Sequence, residues 1–482
     1  MRRLQTSRDR IGHNYVVYFD LLFSEFVLYY GNNLMKPYKA NTRNDLPRIA
    51  EVLGLNRDEV KDMLAVSAVL PFKVNDYVLE NLINSNNLPN DPMYQLTVPQ
   101  RGMLADEDFG RMRDLVTKGA SDTEIKLAAR EIQASLNPHP AGQRELNKPM
   151  LDGEELPGMQ HKYNETVLFF PAQGQTCHAY CTYCFRWAQF VGDSELKFAN
   201  KEPEHLRRYV EENPQIDSVL ITGGDPMIMK TKFLRQYIEP LLNIPHLNSI
   251  RVGTKAIAYW PYRFTDGEDA DDLMRLIGKV RESGKNFAVM AHSSHPVEFS
   301  TNVSQEAVKR LIDSGAVVRC QAPLIKRVND HPDVWAALWR KQVSLGAVPY
   351  YMFVERDTGP KNYFEVPLAR AYDIFSRAYN QVNGLARTVR GPSMSCTPGK
   401  VCVDGVTEVH GERVFVMKFI QGRNPYWANK VFFAKFNPKA TWLDDLEPTF
   451  GEDSFFFERG MDDFVENYRH EHEDAHEVED SF

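Results

Sequence analysis

Between residues 165 and 400 the chain alternates short apolar runs with amphipathic stretches, and polar clusters repeatedly close the apolar runs. That alternation leaves few folds open. The runs at 166–170, 218–222, 248–253, 287–291, 317–322 and 348–353 have the length and β-branched content of strands. Helical spacing fills 304–314 and 333–345 between them. Repeated βα units with buried strands predict an α/β fold in which a parallel sheet curls into a full or partial barrel. In such barrels the site forms at the C-terminal ends of the strands. Gly223-Gly224-Asp225-Pro226 and His292-Ser293-Ser294-His295-Pro296 fall at those ends, which points to an enzyme.

A cysteine loop follows the first of these strands: Cys177, Cys181 and Cys184, at spacings of four and three. Thiolates are the soft ligands that zinc and iron–sulfur clusters prefer. A structural zinc site wants four ligands, usually two close pairs, and no second pair is present here. Three ligands to a four-iron cluster would leave one iron open to substrate or cosubstrate. The plainer reading is three buried thiols acting as small hydrophobes. The other cysteines, Cys320, Cys396 and Cys402, are scattered and read as buried or incidental. Six cysteines with no disulfide framework fit a reducing, cytoplasmic setting.

The 482 residues suffice for two or three domains. We expect a helical N-terminal region (1–160), a barrel (161–400), a β-rich C-terminal appendage (401–468) and an acidic, His-rich disordered tail (469–482). Within the first region, Asn44-Asp45 is read as a cap, Gly54 as a stop, and Asn56 as the start of a second helix. Residues 88–92 and 98–99 read as extended, proline-punctuated linkers, and 105–117 and 121–135 as a helical pair whose second member opens on a Ser121/Glu124 capping box. A loop is expected at 136–142, and the aromatic run at 15–30 suits an interface. A formal charge of −8 argues against a nucleic-acid surface, and no apolar run reaches membrane-spanning length. No signal-peptide pattern is seen at the N-terminus.

The CxxxCxxC spacing is the signature of the radical S-adenosylmethionine (SAM) superfamily, and residues 85–420 resemble its lysine 2,3-aminomutase family. The matching stretches are Pro89-Asn90-Asp91-Pro92, the cysteine loop with Arg186, Gly223-Gly224-Asp225, Arg251-Val252-Gly253-Thr254, His292-Ser293-Ser294-His295-Pro296, Gln321, Val328-Asn329-Asp330 and Pro349-Tyr350-Tyr351. The resemblance implies a [4Fe–4S] cluster on Cys177, Cys181 and Cys184. It implies SAM on the open iron, near Gly223, Gly224, Asp225, His292 and Gln321, cleaved to a 5′-deoxyadenosyl radical by one electron. It further implies an electron donor such as flavodoxin or ferredoxin, a homo-oligomer, and pyridoxal 5′-phosphate (PLP) carried on a lysine. Arg186 matches the arginine that holds the substrate carboxylate.

The chain departs from the family at the PLP and substrate positions. Two arginines that hold the PLP phosphate in the family correspond to Lys162 and Thr166 here, with Tyr163 kept between them. Counted from Pro392 without gaps, Thr397 stands at the PLP-lysine position, and a three-residue insertion brings Lys400 there. Two aspartates that hold the lysine ammonium are replaced by Arg356 and Arg390. An ammonium between two guanidinium groups is strongly disfavoured, so the expected substrate is an anionic amino acid rather than lysine. Glu355 is a competing partner for either arginine. Two alternatives stay open: a PLP-independent radical SAM enzyme on an anionic substrate, and a non-catalytic iron–sulfur protein.

Overall fold

The computed structural model describes residues 37–137, 145–191, 198–466 and 468, and divides into residues 1–39 and a unit running from Ala40 to Phe482. The aromatic run at 15–30, the tail at 469–482 and most of the loop at 136–142 lie outside the described residues. Among those described, no helix is long and apolar enough to cross a membrane.

The longer helices at the start of the larger unit are α1 (Leu46–Leu53), α2 (Arg57–Val69), α3 (Asp106–Lys118) and α4 (Asp122–Leu136). Their ends follow the sequence. Gly54 stops α1 with φ +72°, a left-handed conformation that costs glycine little. Asn56 caps α2 through the amides of Asp58 and Glu59, and Ser121 and Glu124 close a reciprocal box on α4. Asp45 behaves otherwise than expected. Its carboxylate turns back to the Thr42 amide at 2.8 Å instead of capping α1. Between the linkers expected at 88–92 and 98–99, Asp91 caps a short helix, Pro92–Thr97, through the Tyr94 amide, so that Pro92 is helical rather than extended.

An eleven-stranded sheet carries the rest. Its strands are β1 (Met159–Tyr163), β2 (Thr166–Phe169), β3 (Ser218–Ile221), β4 (Ser249–Thr254), β5 (Asn286–His292), β6 (Val317–Leu324), β7 (Val348–Val354), β8 (Arg390–Ser395), β9 (Gly399–Val409), β10 (Glu412–Gly422) and β11 (Val431–Lys435). Every strand pairs with its neighbour in sequence, and β2 to β8 are parallel. Parallel pairing in simple sequence order winds the chain one way, so right-handed crossovers place the connecting helices on one face. The burial agrees. In β4 and β6, Ile250, Val252, Val318, Cys320 and Ala322 are buried in a core shared with helices Thr231–Ile238, Gly267–Glu282 and Asn302–Asp313. Arg251, Gly253, Arg319 and Gln321 alternate with them and stay half-buried. β4 and β6 therefore have one apolar and one polar face, where the sequence reading had the strands buried, while β5 is buried on both faces.

β9 to β11 are antiparallel and hydrogen-bonded onto β8, so the C-terminal strands extend the same sheet. Their core is separate, built on Phe415, Met417, Phe419, Trp427 and Trp442. The boundaries expected at 160 and 400 fall inside β1 and β9.

Candidate active site

The cysteine loop leaves β2 and is tied down from several directions. Its apolar residues Ala179, Tyr183 and Trp187 join the core of the helical region, with Cys181 and Cys184 packed against it. The Tyr180 amide donates to the Lys73 carbonyl at 2.8 Å, and the Thr182 amide to the Leu96 carbonyl at 2.9 Å. Asn75 Nδ2 reaches the His178 carbonyl at 3.2 Å, and Lys73 Nζ the Cys177 carbonyl at 3.0 Å. The helical region thus fixes this loop largely through main-chain groups.

The three thiols lie close enough to affect one another, and burial pushes all three above the usual thiol range, Cys184 to about 12. None is in a disulfide. Among the described residues no three His, Cys, Asp or Glu side chains are arranged around a single metal ion. A four-iron cluster is a larger body than one ion, and three free thiols on one loop are a suitable donor set for it.

The Gly223-Gly224-Asp225 turn packs directly under this loop. A Cβ on Gly224 would meet the Thr176 backbone at 2.5 Å, and one on Gly223 the Gln175 side chain at 2.4 Å. The Asp225 amide donates to the Thr176 carbonyl at 2.8 Å. The glycines, read from sequence as an approach to a ligand, are required here for the approach of turn to loop. Asp225 is buried, and its carboxylate accepts from Thr254 Oγ1 (2.7 Å) and the Lys255 (2.8 Å) and Met227 (3.0 Å) amides. Desolvation holds it up at about 6 despite these donors. It locks the end of β3 to the end of β4.

His292 and Gln321 are register partners at the ends of β5 and β6, and Gln321 Nε2 lies 2.9 Å from His292 Nε2. Burial, with Lys255 nearby, lowers His292 to about 3, so the imidazole is neutral and the amide N–H donates to its bare nitrogen.

Sequence reasoning missed a polar network beneath the thiols. Lys255 and Glu298 form a buried ion pair at 2.5 Å. Glu298 also accepts from the Ser294 amide, Ser294 Oγ lies 3.3 Å from Tyr183 Oη, and Tyr259 Oη lies 3.4 Å from Cys181 Sγ. Only Ser294 stood in a recognised motif. Lys255 directly follows Thr254, and Glu298 lies two residues past Pro296, so both motifs stopped just short of the pair.

Lys400, on β9, enters a ring of aromatic side chains. Its Nζ is 4.5 Å from the centroid of Tyr351, and 5.8 Å from those of Tyr163 and Phe353. Its hydrogen-bond partner is the neutral Gln421 Oε1 at 3.1 Å. Burial, then the charges of Arg251 and Arg390, lower it from 10.5 to about 7. Lys162, beside it, donates to the Cys396 carbonyl. Cys320, Cys396 and Cys402 are all buried.

The arginines fall into two groups. Arg186 and Arg356 lie over the same Phe185 ring, at 5.3 and 5.5 Å. Arg390 lies instead over Tyr350 and Tyr351, at 5.3 and 5.6 Å. Among the described residues neither Arg186 nor Arg356 has a carboxylate within ion-pair distance, and Arg356 Nε is buried without a hydrogen bond. Burial lowers Arg186 to about 10, with Arg356 adding to the effect. Glu355 pairs with neither arginine, contrary to the sequence reading. Both its oxygens are buried and unbonded, and desolvation raises its carboxyl well above the usual range.

A three-thiol loop at the C-terminal end of the first parallel strand, seated on a Gly-Gly-Asp turn, is the arrangement of a radical SAM enzyme. The chain is 29% identical over 83% of its length to a provisionally named L-lysine 2,3-aminomutase of Aquifex aeolicus, covering 93% of that protein. It is 26% identical to the L-lysine 2,3-aminomutase of Methanococcus maripaludis (72% of this chain, 70% of that one). It is 23% identical to the glutamate 2,3-aminomutase of Clostridioides difficile (72% and 71%). No family model matches. The chain is thus similar to lysine 2,3-aminomutases over most of its length. Streptococcus suis SuiB bound to S-adenosylmethionine aligns only weakly, with 12% identity over 57% of each chain and a TM-score of 0.32.

Proposed function

We propose that this protein is a radical SAM aminomutase that moves the amino group of an anionic amino acid, with PLP carried on Lys400. The observation that carries this reading is Lys400 itself: a half-buried amine lowered to about 7, ringed by aromatic side chains, with no carboxylate in ion-pair contact among the described residues and Glu165 reached only through Gln421. A lysine that must react through its free amine needs such surroundings, since the charged form is not nucleophilic.

In this reading β2 to β8 are the partial barrel, with the helical region and β9 to β11 flanking it. Cys177, Cys181 and Cys184 would hold a [4Fe–4S] cluster, and the open iron would take SAM beside Gly223, Gly224, Asp225, His292 and Gln321. The cluster and SAM supply the radical, and PLP supplies delocalisation for nitrogen migration. The protein supplies the rest. Arg186 would orient the substrate's α-carboxylate, and Arg356, sharing the Phe185 surface, would take a second anionic group. An electron donor and self-association are part of the proposal.

The test is anaerobic. Cluster-reconstituted protein with SAM, reductant and PLP is offered glutamate, aspartate and lysine, and the products are separated by mass and chirality. A β-amino acid from an acidic substrate, with a borohydride-trapped pyridoxyl mass on Lys400, is the expected result. SAM cleavage without PLP labelling would instead support a PLP-independent radical enzyme on an anionic substrate.

A further inference from the structure

Building on the proposed reading, one feature of the polar face calls for a ligand of its own. Arg251, on β4, lies across from Thr166 on β2, its Nη2 3.3 Å from the Thr166 hydroxyl. Its Nε is buried with no hydrogen-bond partner among the described residues. No carboxylate stands within ion-pair distance among the described residues, and Glu165 and Asp217 act on it only as longer-range charges. Arg390, on β8, gives one N–H to Tyr351 Oη at 3.1 Å and is otherwise exposed. The Tyr351 ring that Arg390 touches is the ring 4.5 Å from Lys400 Nζ. Arg319 adds a third guanidinium, 5.1 Å from Tyr350. Arg251 and Arg390, from separate strands, thus both lie near enough to Lys400 for their charges to act on its amine.

A buried, unbonded guanidinium N–H is costly, and a structure retains one where a ligand completes it. The planar fork of arginine matches a phosphate through paired N–H donors. The residues at the positions expected to hold a phosphate are otherwise engaged: Lys162 donates to a carbonyl, and Thr166 receives Arg251. We propose that Arg251 and Arg390 form the cradle for the phosphate of PLP carried on Lys400, replacing the two arginines whose positions are taken here by Lys162 and Thr166. This assigns Arg390 to the cofactor, and leaves Arg186 and Arg356 to the substrate. The two anion stations then differ in kind, one for a permanent dianion and one for carboxylates that come and go.

The experiment compares PLP with pyridoxal, which has the same aldehyde and no phosphate. Cluster-reconstituted protein is titrated with each, reduced with borohydride, and the pyridoxyl label on Lys400 is quantified by peptide mass. In the wild-type protein, half-labelling should need about 10- to 100-fold less PLP than pyridoxal, the effect of charge-assisted contacts. Inorganic phosphate should compete with PLP and leave pyridoxal unaffected, a measurement that needs no variant. Arg390→Gln and Arg251→Gln should each erase most of the PLP preference, read as the ratio of PLP to pyridoxal labelling at one pH because loss of either charge also raises the Lys400 amine and slows both aldehydes alike, with circular dichroism checking the fold. Arg251→Lys, which keeps the charge and loses the fork, should fall between. Equal labelling by the two aldehydes, or variants that keep the wild-type preference, would overturn the cradle while leaving the aminomutase reading standing. Labelling by neither aldehyde would overturn both.

Discussion

Lys255, buried just past the end of β4, and Lys400, half-buried on β9, are lysines whose surroundings are opposites. Lys255 sits past the end of β4 with Glu298 at 2.5 Å and the Tyr259 ring 4.8 Å away. Lys400 has aromatic rings, one neutral amide oxygen and two nearby arginines. One amine is matched by a buried carboxylate, and the other is left with its charge opposed. A matched charge holds a structure in place, while an opposed one prepares a group to react. The lysine that braces the cysteine loop and the lysine proposed to carry chemistry can therefore be told apart by their partners alone.

The largest expected effect separates these roles. Lys400→Gln should abolish amine migration and pyridoxyl labelling, while cluster absorbance and reductive SAM cleavage persist. Its melting temperature should not fall, because the substitution removes a half-buried amine with no ionic partner among the described residues. Loss of the cluster in this variant would mean that Lys400 is structural after all.

Glu298→Ala should have the reverse character. It leaves Lys255 buried and unpaired, a change that costs about 3–5 kcal/mol. It also frees the Ser294 amide and loosens Tyr183, so iron content after reconstitution should drop as stability does. Denaturant unfolding and iron assay on the same preparation check both. Retained stability would show that the pair is solvated, and the contrast with Lys400 would lose its basis.

The contrast also marks what the sequence could and could not reveal. The order of β2 to β7 was legible because each strand is a short apolar run closed by a polar cluster, and the cysteine loop because three thiols at fixed spacing have few other uses. Arg356 and Arg390 were legible as charges, but the sequence does not tell which rings they lie over: Arg390 begins β8 in register with Tyr351, and Arg356, two residues past the end of β7, lies over Phe185. The Lys255–Glu298 pair was invisible because a buried ion pair between distant residues leaves no local pattern. Glu355 was misread for the opposite reason: adjacency in sequence to Arg356 does not place the two side chains in contact.

Arg356→Gln tests the other unmatched charge. Loss of one charge-assisted contact to an anionic side chain should lower kcat/KM for the preferred acidic amino acid by about 10- to 100-fold, chiefly through KM. PLP labelling of Lys400 should be unchanged, because Arg356 shares the Phe185 surface with Arg186 rather than the Tyr351 surface with Lys400. An equal loss of labelling would merge the two anion stations into one.

The pH dependence of labelling follows from the direction of the Lys400 shift. The folded-state value, about 7, lies below the ordinary 10.5. The neutral amine is the reactive form, so early labelling rates should rise roughly tenfold between about pH 6 and 8. Stability carries the same sign. Between about 7 and 10.5 the unfolded chain binds the proton that the folded chain has released, so this group's contribution to stability rises with pH across that window. Lys400→Gln should remove both trends. A labelling rate still climbing at pH 9 to 10 would indicate an ordinary, solvated lysine.

The smallest effect is the most discriminating for Lys255. Replacing both members of the pair, Lys255→Met with Glu298→Met, removes the unpaired charge that either single change leaves behind. Such swaps in other proteins are neutral or stabilising, so the double variant should unfold within about 1 kcal/mol of wild type. Its iron content should nonetheless remain below wild type, because methionine cannot accept the Ser294 amide or hold the Tyr183 hydroxyl through Ser294. Stability recovered without cluster recovered would assign the pair to orientation of the cysteine loop rather than to folding. Recovery of both would make it a packing element, replaceable by any side chains of similar volume, and the distinction between the two lysines would then rest on Lys400 alone.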